Sequence, residues 1–335
     1  MYFCTRGTIA RMQAIVAREF GGPDVLRLEN VPDPVPGPGQ VLVRVRAVGV
    51  NPYDTYMRTG NYATRPPLPY TPGADGAGEV EATNGDAGGL RAGDRVFFGG
   101  TVTHKAYGAY AAKVVCEPQQ LHHLPDRLTF AQGAGIGVPY VTAWRALHHR
   151  AGIQPGETVF IHGASGGVGL AATQIARAWG LTVIGTASTA AGFDAIRSQG
   201  AHEVLNHREE GYLDRLMELT GGRGPDVILE NLANINLDND LTALAFGGRV
   251  VIVGNRGRIE IDPRKIMGKD AAVTGMALWN TTPNDLARAY KALEAGLASG
   301  SLTPIVAQEL PLADAARAHE LVLQSGARGK IVLIP

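Results

Sequence analysis

Apolar positions recur along the chain in two rhythms. In the first third the period is two. Residues from Gln13 to Glu29 alternate around a turn at Gly21-Gly22-Pro23, which predicts two short paired strands. A loop rich in proline and glycine, Pro32 to Gly39, precedes the run Val41 to Val50. There Val41, Val43 and Val45 share one face and Leu42, Arg44 and Arg46 the other, as in a half-buried strand. A further strand pair follows, with Leu90 to Phe98 carrying a Gly-Asp turn, so this part reads as a small β-barrel-like domain. Near Leu128 the rhythm lengthens. Thr129 to Leu147 reads as helical segments broken near Gly137 to Pro139, and strands then alternate with helices. The strands are Thr158–Ile161, Thr182–Thr186, Glu203–Asn206, Asp226–Glu230, Arg249–Val253 and Ala272–Leu278; helices include Ala191–Gln199 and Gly211–Thr220. Alternating β and α units predict an α/β fold with a parallel, doubly wound sheet. The tail adds amphipathic helices at Asn284–Ala298 and Ala313–Gln324 and a last strand at Lys330–Ile334.

The first strand of that sheet runs into Gly163, Gly166, Gly167 and Gly169. Val168, Ala171, Ala172, Ile175 and Trp179 then fall on one helical face, and Gly180 stops the helix. Strand, glycine turn, helix and strand form the unit that cradles a dinucleotide pyrophosphate, because the turn admits close backbone approach and the helix N-terminus offers N–H groups. Ala164 stands where the first glycine of G-x-G-x-x-G would be. An NAD site usually has an acid at the end of the second strand, to hold the ribose 2′-hydroxyl. Here the chain reads Thr186-Ala187-Ser188-Thr189, and the next acid is Asp194 in the following helix. That favours NADPH, and Asn206-His207-Arg208 after the third strand supplies groups suited to its phosphate.

Charge excludes little but directs attention inward. Lys plus Arg and Asp plus Glu are both 31, so no global basic field recruits nucleic acid. No 18-residue apolar span suggests a membrane segment. The two cysteines, Cys4 and Cys116, build neither a disulfide framework nor a metal knuckle, which fits a cytoplasmic protein. Residues 1–11 lack a signal-peptide pattern and read as an N-terminal extension ahead of Met12.

The stretches EFGGPDVL, GVNPYDTYMRTG, PYTPGADGAG, GDRVF, GIGVPYVTAWRAL, HGASGGVGLAATQIARAWG, NHRE, GGRVVIVGNRG and GKIVL occur in order from about Met12 to Pro335. Through them the chain resembles the zinc-independent quinone oxidoreductases of zeta-crystallin type, in the medium-chain dehydrogenase/reductase superfamily. The resemblance implies a GroES-like β-barrel catalytic domain over 12–132, a Rossmann NADPH-binding domain over 133–274 and a return to the catalytic domain over 275–335. It implies NADPH-dependent reduction of quinones, ortho-quinones among them, in the cleft between the domains, and a homodimer or homotetramer. Zinc-dependent relatives hold their metal through Cys and His. This chain has Gly49-Val50-Asn51, Ala74-Asp75 and Ile136 in the corresponding places, and only the loop Thr83 to Gly89 where a structural zinc lobe would be, so no metal is expected. Without a Lewis acid, alcohol oxidation is disfavoured, whereas a quinone is already electrophilic.

Residue by residue, the resemblance assigns the pyrophosphate to backbone amides of Ser165, Gly166, Gly167 and Val168. It assigns the 2′-phosphate to Ser188 and His207, with Arg208 beside them and Thr189 where some relatives carry Lys. Asn236 is expected near the ribose or pyrophosphate. Val253, Gly254, Asn255 and Arg256, with Met276, Ala277 and Leu278, are expected on the nicotinamide side. Asn51 and Tyr56, on the loop after the Val41–Val50 strand, are the leading hydrogen-bond donors to substrate or nicotinamide, and the resemblance places Tyr56 at the cofactor. Thr142 is a weaker candidate. Two other readings stay open: NADPH-dependent reduction of an alkenal or enoyl double bond, and a non-catalytic NADPH- or RNA-binding role. Neutral charge and the lack of interleaved basic and aromatic residues argue against RNA.

Overall fold

The computed structural model describes residues 10–62, 65–99 and 108–335. Residues 1–9, most of the expected extension and Cys4 with it, lie outside them; Arg11 already opens the first strand, opposite Pro32. The chain divides into two compact units, one of residues 1–135, 308–323 and 331–335, the other of residues 136–307 and 324–330.

The first unit is antiparallel. β1 (Arg11–Ala17) and β2 (Leu26–Pro32) form the expected hairpin. β3 (Val41–Val50) pairs with β4 (Asp75–Thr83) and β6 (Lys113–Cys116), and β4 continues through β5 (Arg95–Phe98) to β7 (Leu121–His123). The predicted alternation of β3 becomes packing: Val41, Val43 and Val45 join Phe98, Tyr110 and Leu333 in one core. Arg44 and Arg46 lie outside that core and pair across the sheet with Glu81 and Glu79 at 3.0 and 2.8 Å. Such exposed pairs favour the register more than the stability. β3 and β4 cross closely at Gly78, where a Cβ would stand 2.0 Å from the Arg44 carbonyl oxygen.

The second unit carries six parallel strands, β8 (Thr158–Ile161), β9 (Thr182–Ala187), β10 (Glu203–Asn206), β11 (Val227–Glu230), β12 (Arg249–Ile252) and β13 (Ala272–Gly275). Their order is β10-β9-β8-β11-β12-β13. The central strands β8 and β11 are almost wholly buried, which is why they read as continuous apolar runs without alternation. Three elements differ from the sequence expectation. The helical break falls at Ala134–Ile136, and Pro139 instead sits in the first turn of the helix Gly137–Trp144, where its missing N–H costs nothing. The last strand is shorter than Ala272–Leu278, because the chain turns at Leu278–Asn280. An additional helix, Ala233–Ala243, carries the polar run NINLDND, whose weak periodicity gives no helical signal.

The tail closes the first unit. β14 (Val306–Pro311) and β15 (Lys330–Ile334) join its sheet, β15 pairing with β3 from Ile331 opposite Val50. Residues 275–307, expected with the first domain, belong to the second unit, whose helix Pro283–Ser299 buries Ala289, Tyr290, Leu293 and Leu297.

Candidate functional site

The strand order of the second unit reverses direction between β8 and β11, and the carboxyl ends there are where open parallel sheets bind ligands. β8 leads through His162 into Gly163, which takes φ +58°, a left-handed conformation that favours glycine. The turn is tied to the end of β9: Gly163 N–H donates to Thr186 Oγ1 at 3.0 Å and Ala164 N–H to the Thr186 carbonyl at 2.9 Å. Gly166 caps the helix Gly167–Ala178. A Cβ on Gly169 would lie 2.5 Å from Ala164 Cα and 2.6 Å from the Gly163 carbonyl oxygen, so turn and helix meet backbone to backbone. The first N–H groups of this helix have no intrahelical partner, and they come from the segment that holds Gly166, Gly167 and Val168. Ser165 is buried, and the other three are half-buried.

At the end of β9, Ser188 is half-buried and His207 lies alongside, its N–H donating to the Ala187 carbonyl at 3.3 Å. Desolvation first, then His162 and Arg208, hold the His207 imidazole below its ordinary pKa, so it is a neutral hydrogen-bonding group at pH 7. Arg208 is exposed, with Nη2 3.4 Å from Ser325 Oγ. The fold thus gathers Ser188, His207 and Arg208 from two strand ends, together with a tail segment that no local pattern places there. That segment also brings Gly329 into a bridge with Gly166.

At the end of β11, Val253 and Gly254 both donate their N–H to the Glu230 carbonyl, at 2.8 and 3.2 Å. Gly254 packs so close to Asn231 that a Cβ would stand 2.2 Å from its carbonyl oxygen. Asn236 Nδ2 donates to Glu230 Oε1 at 3.3 Å. Asn255 and Arg256 are exposed, and Arg256 N–H donates to Asn234 Oδ1 at 2.9 Å. Met276, Ala277 and Leu278 are half-buried just beyond β13, with Met276 N–H on the Ile252 carbonyl.

Sequence reasoning missed three buried ionisable residues here. His162 Nε2 stands 2.7 Å from Asp240 Oδ1 and 3.5 Å from Glu230 Oε2, and all three residues are buried. Ligand atoms of the three lie within 4.8 Å of one another. Two ligands of one zinc ion stand about 3.3 Å apart in tetrahedral geometry, so the 2.7 Å separation is that of a hydrogen bond rather than a ligand pair. Desolvation raises the Glu230 and Asp240 carboxyls to about 7 each and lowers the His162 imidazole. The available signal was an ionisable residue at the end of each of two central apolar strands.

In the first unit, Asn51 is buried, its Nδ2 donating to Asp75 Oδ2 at 2.9 Å and its N–H to Asp54 Oδ2 at 2.9 Å. Tyr56 lies on the helix Pro52–Arg58 rather than on a loop and stacks on Tyr62, the ring centres 6.4 Å apart. A recess nearby is lined by Tyr53, Asp54, Met57, Tyr70 and Gly108. Thr142, in the second unit, is buried within its helix. The positions corresponding to catalytic zinc ligands do not fit that ion: Asn51 and Asp75 hydrogen-bond each other, and Ile136 is a fully buried hydrocarbon.

The strand order of the second unit and the antiparallel sheet of the first define a medium-chain dehydrogenase/reductase. Family models agree: residues 37–126 match the alcohol dehydrogenase GroES-like domain and 167–295 the zinc-binding dehydrogenase domain. The quinone oxidoreductase of Homo sapiens is 47% identical over 325 residues, covering 96% of this chain and 98% of that protein. The chain belongs to the quinone oxidoreductase family. Among solved structures, an NAD-dependent alcohol dehydrogenase superposes with TM-score 0.88 at 30% identity, covering 97% of this chain and 100% of that one. The Escherichia coli quinone oxidoreductase complexed with NADPH gives TM-score 0.84 at 32% identity, covering 97% and 99%.

Proposed function

We propose that the protein is an NADPH-dependent quinone reductase that works without zinc. The observation that carries this reading is at the strand ends: Ser188 follows β9 and His207 follows the neighbouring β10, its N–H on the Ala187 carbonyl at 3.3 Å, and Ser188 stands where an NAD enzyme would place an acid. Bound NADPH supplies the hydride. The amides of Ser165 to Val168 would hold its pyrophosphate, and Ser188, His207 and Arg208 its 2′-phosphate. Asn236, Val253 to Arg256 and Met276 to Leu278 would hold the ribose and nicotinamide side. Asn51 and Tyr56 are the proposed donors to the quinone oxygen as charge develops on it, Tyr56 with a further role at the cofactor. A quinone needs only orientation and such a hydrogen bond, since its reduced oxygen is stabilised by conjugation.

We further place the protein in the cytoplasm as a homodimer or homotetramer. Cys116 is buried and in no disulfide among the described residues, which supports a reducing compartment. The outer strand β13, with partly exposed residues at the sheet edge, supports assembly by sheet extension. Among the described residues, no helix is long and apolar enough to cross a membrane. The functional test is the loss of reduced-nicotinamide absorbance with an ortho-quinone, run with NADPH and with NADH. Turnover with NADPH only, insensitive to a chelator, is expected. Equal use of NADH overturns the phosphate-site assignment. Turnover of alkenals with no turnover of quinones overturns the substrate class.

A further inference from the structure

The buried cluster at the β8/β11 switch point has a chemistry that the hydride-transfer reading does not use. Glu230 and Asp240 are fully buried, and no Lys or Arg forms an ion pair with either among the described residues. Glu230 Oε1 accepts from the Leu232 N–H and from Asn236 Nδ2. Asp240 Oδ1 faces His162 Nε2 at 2.7 Å. Glu230 Oε2 and Asp240 Oδ2 are left without a donor. One oxygen of each carboxyl lies within 4.8 Å of the other, with His162 Nε2 3.5 Å from Glu230 Oε2 and 2.7 Å from Asp240 Oδ1. Two carboxylates in contact in a dry interior cannot both ionise. The state consistent with this geometry is one charge for three groups: a single proton held between the unpartnered Glu230 and Asp240 oxygens, and a neutral His162 donating through Nε2 to Asp240.

Each member anchors a different wall of the proposed cofactor site. His162 immediately precedes the glycine turn, and its carbonyl accepts from Asn231 Nδ2 at 2.8 Å. The Glu230 side chain fixes Leu232 and Asn236, and its carbonyl fixes Val253 and Gly254. Asp240 lies on the same helix as Asn236, one turn further on.

We propose that Glu230, Asp240 and His162 are positioning residues that hold the pyrophosphate turn and the 231–236 segment in register for NADPH through one shared proton. Loss of that proton puts two adjacent negative charges behind the site, forcing the carboxyls apart and opposing an anionic cofactor. Burial raises both carboxyls, and the pair loses its protons in two steps, the second being the harder because it leaves two adjacent charges; the singly protonated state is therefore lost as pH rises above neutrality. The other titratable groups whose charge reaches the cluster are His207, beside His162, and Tyr212, which feels both carboxyls. Tyr212 remains a phenol in this range, because burial raises it above its ordinary value.

This inference rests on the proposed use of NADPH, and the experiment separates the two. Binding of NADPH to the full-length protein is followed by nucleotide fluorescence between pH 6.5 and 8.5, with wild type, Glu230→Gln and Asp240→Asn. A glutamine keeps the acceptor for Leu232 and offers the unpartnered Asp240 oxygen an amide donor that does not titrate. The wild-type Kd is expected to rise about tenfold across the range. For Glu230→Gln the change should be less than threefold, and the rise of melting temperature on adding NADPH should hold at pH 8.5. A wild-type Kd that does not change with pH, or an equal pH dependence in both variants and wild type, overturns the positioning role while leaving NADPH use intact. Absence of NADPH binding at every pH overturns both. A stoichiometric divalent ion retained through dialysis also overturns the shared-proton account.

Discussion

Replacing Gly169 by alanine tests whether the cofactor turn is built by backbone contact. Gly169 lies in the helix Gly167–Ala178, where alanine is intrinsically favoured over glycine by about 1 kcal/mol. Propensity alone therefore predicts a more stable protein. Geometry predicts the reverse. The added Cβ would stand 2.5 Å from Ala164 Cα, 2.6 Å from the Gly163 oxygen and 2.7 Å from the Ala164 carbonyl carbon. All three atoms are backbone, and the turn that holds them is hydrogen-bonded to Thr186, so no side chain can rotate away. Relief needs the helix start to retreat by about an ångström, an overpacking cost of about 3 kcal/mol at the upper end of its range. The net destabilisation is about 2 kcal/mol, which lowers Tm by about 4 to 8 °C. The same displacement carries the helix N–H groups off the pyrophosphate, and Kd for NADPH should rise at least tenfold, about 1.4 kcal/mol. Gly167 is the internal control, since its Cβ would meet only Pro139 at an ordinary 3.4 Å, and Gly167→Ala should leave Tm within about 2 °C. Thermal melts of the two variants, followed by NADPH titration, make the comparison. A Gly169→Ala protein as stable as Gly167→Ala would refute the close-contact account of the turn.

Two further outcomes follow from charge and burial. The double variant Ser188→Ala/His207→Ala should raise KM for NADPH about tenfold and leave KM for NADH within twofold, because only NADPH carries the 2′-phosphate; equal losses for both nucleotides would move the phosphate site elsewhere. His319 is fully buried against Tyr110, its Nε2 3.1 Å from the Tyr110 hydroxyl, and burial first, then Arg58, lowers its pKa to about 3. The unfolded chain binds a proton at about 6.5 and the folded one does not. His319 therefore favours folding above that value, and the contribution falls as pH drops towards 3. Between pH 7 and 5 wild type should lose about 2 kcal/mol through this residue, a loss that His319→Gln escapes, and parallel urea-melt stabilities over that range would exclude the assignment.

Much of the molecule was legible before folding. A period of two from Gln13 to Phe98 and alternating apolar strands and helices after Thr158 specify an antiparallel sheet and a parallel one, because side-chain periodicity is a local property of backbone geometry. The glycine turn, the missing acid after β9 and the lack of Cys and His at the zinc positions are likewise matters of residue type at a fixed place. Tertiary structure decided the rest. His162, Glu230 and Asp240 are far apart in the chain and belong to three elements, so no local pattern could assemble them; only the β8–β11 reversal and the unanticipated helix Ala233–Ala243 bring them into contact. The helix escaped notice because its stability comes from burying Ala233, Leu237 and Leu241 against the sheet rather than from its own periodicity. The tail segment 324–330 shares this origin, reaching Gly166 and Arg208 through contacts that exist only once the chain has returned past the Rossmann sheet. Sequence determined which chemistry the chain could support, and long-range packing determined which buried charges stand behind it.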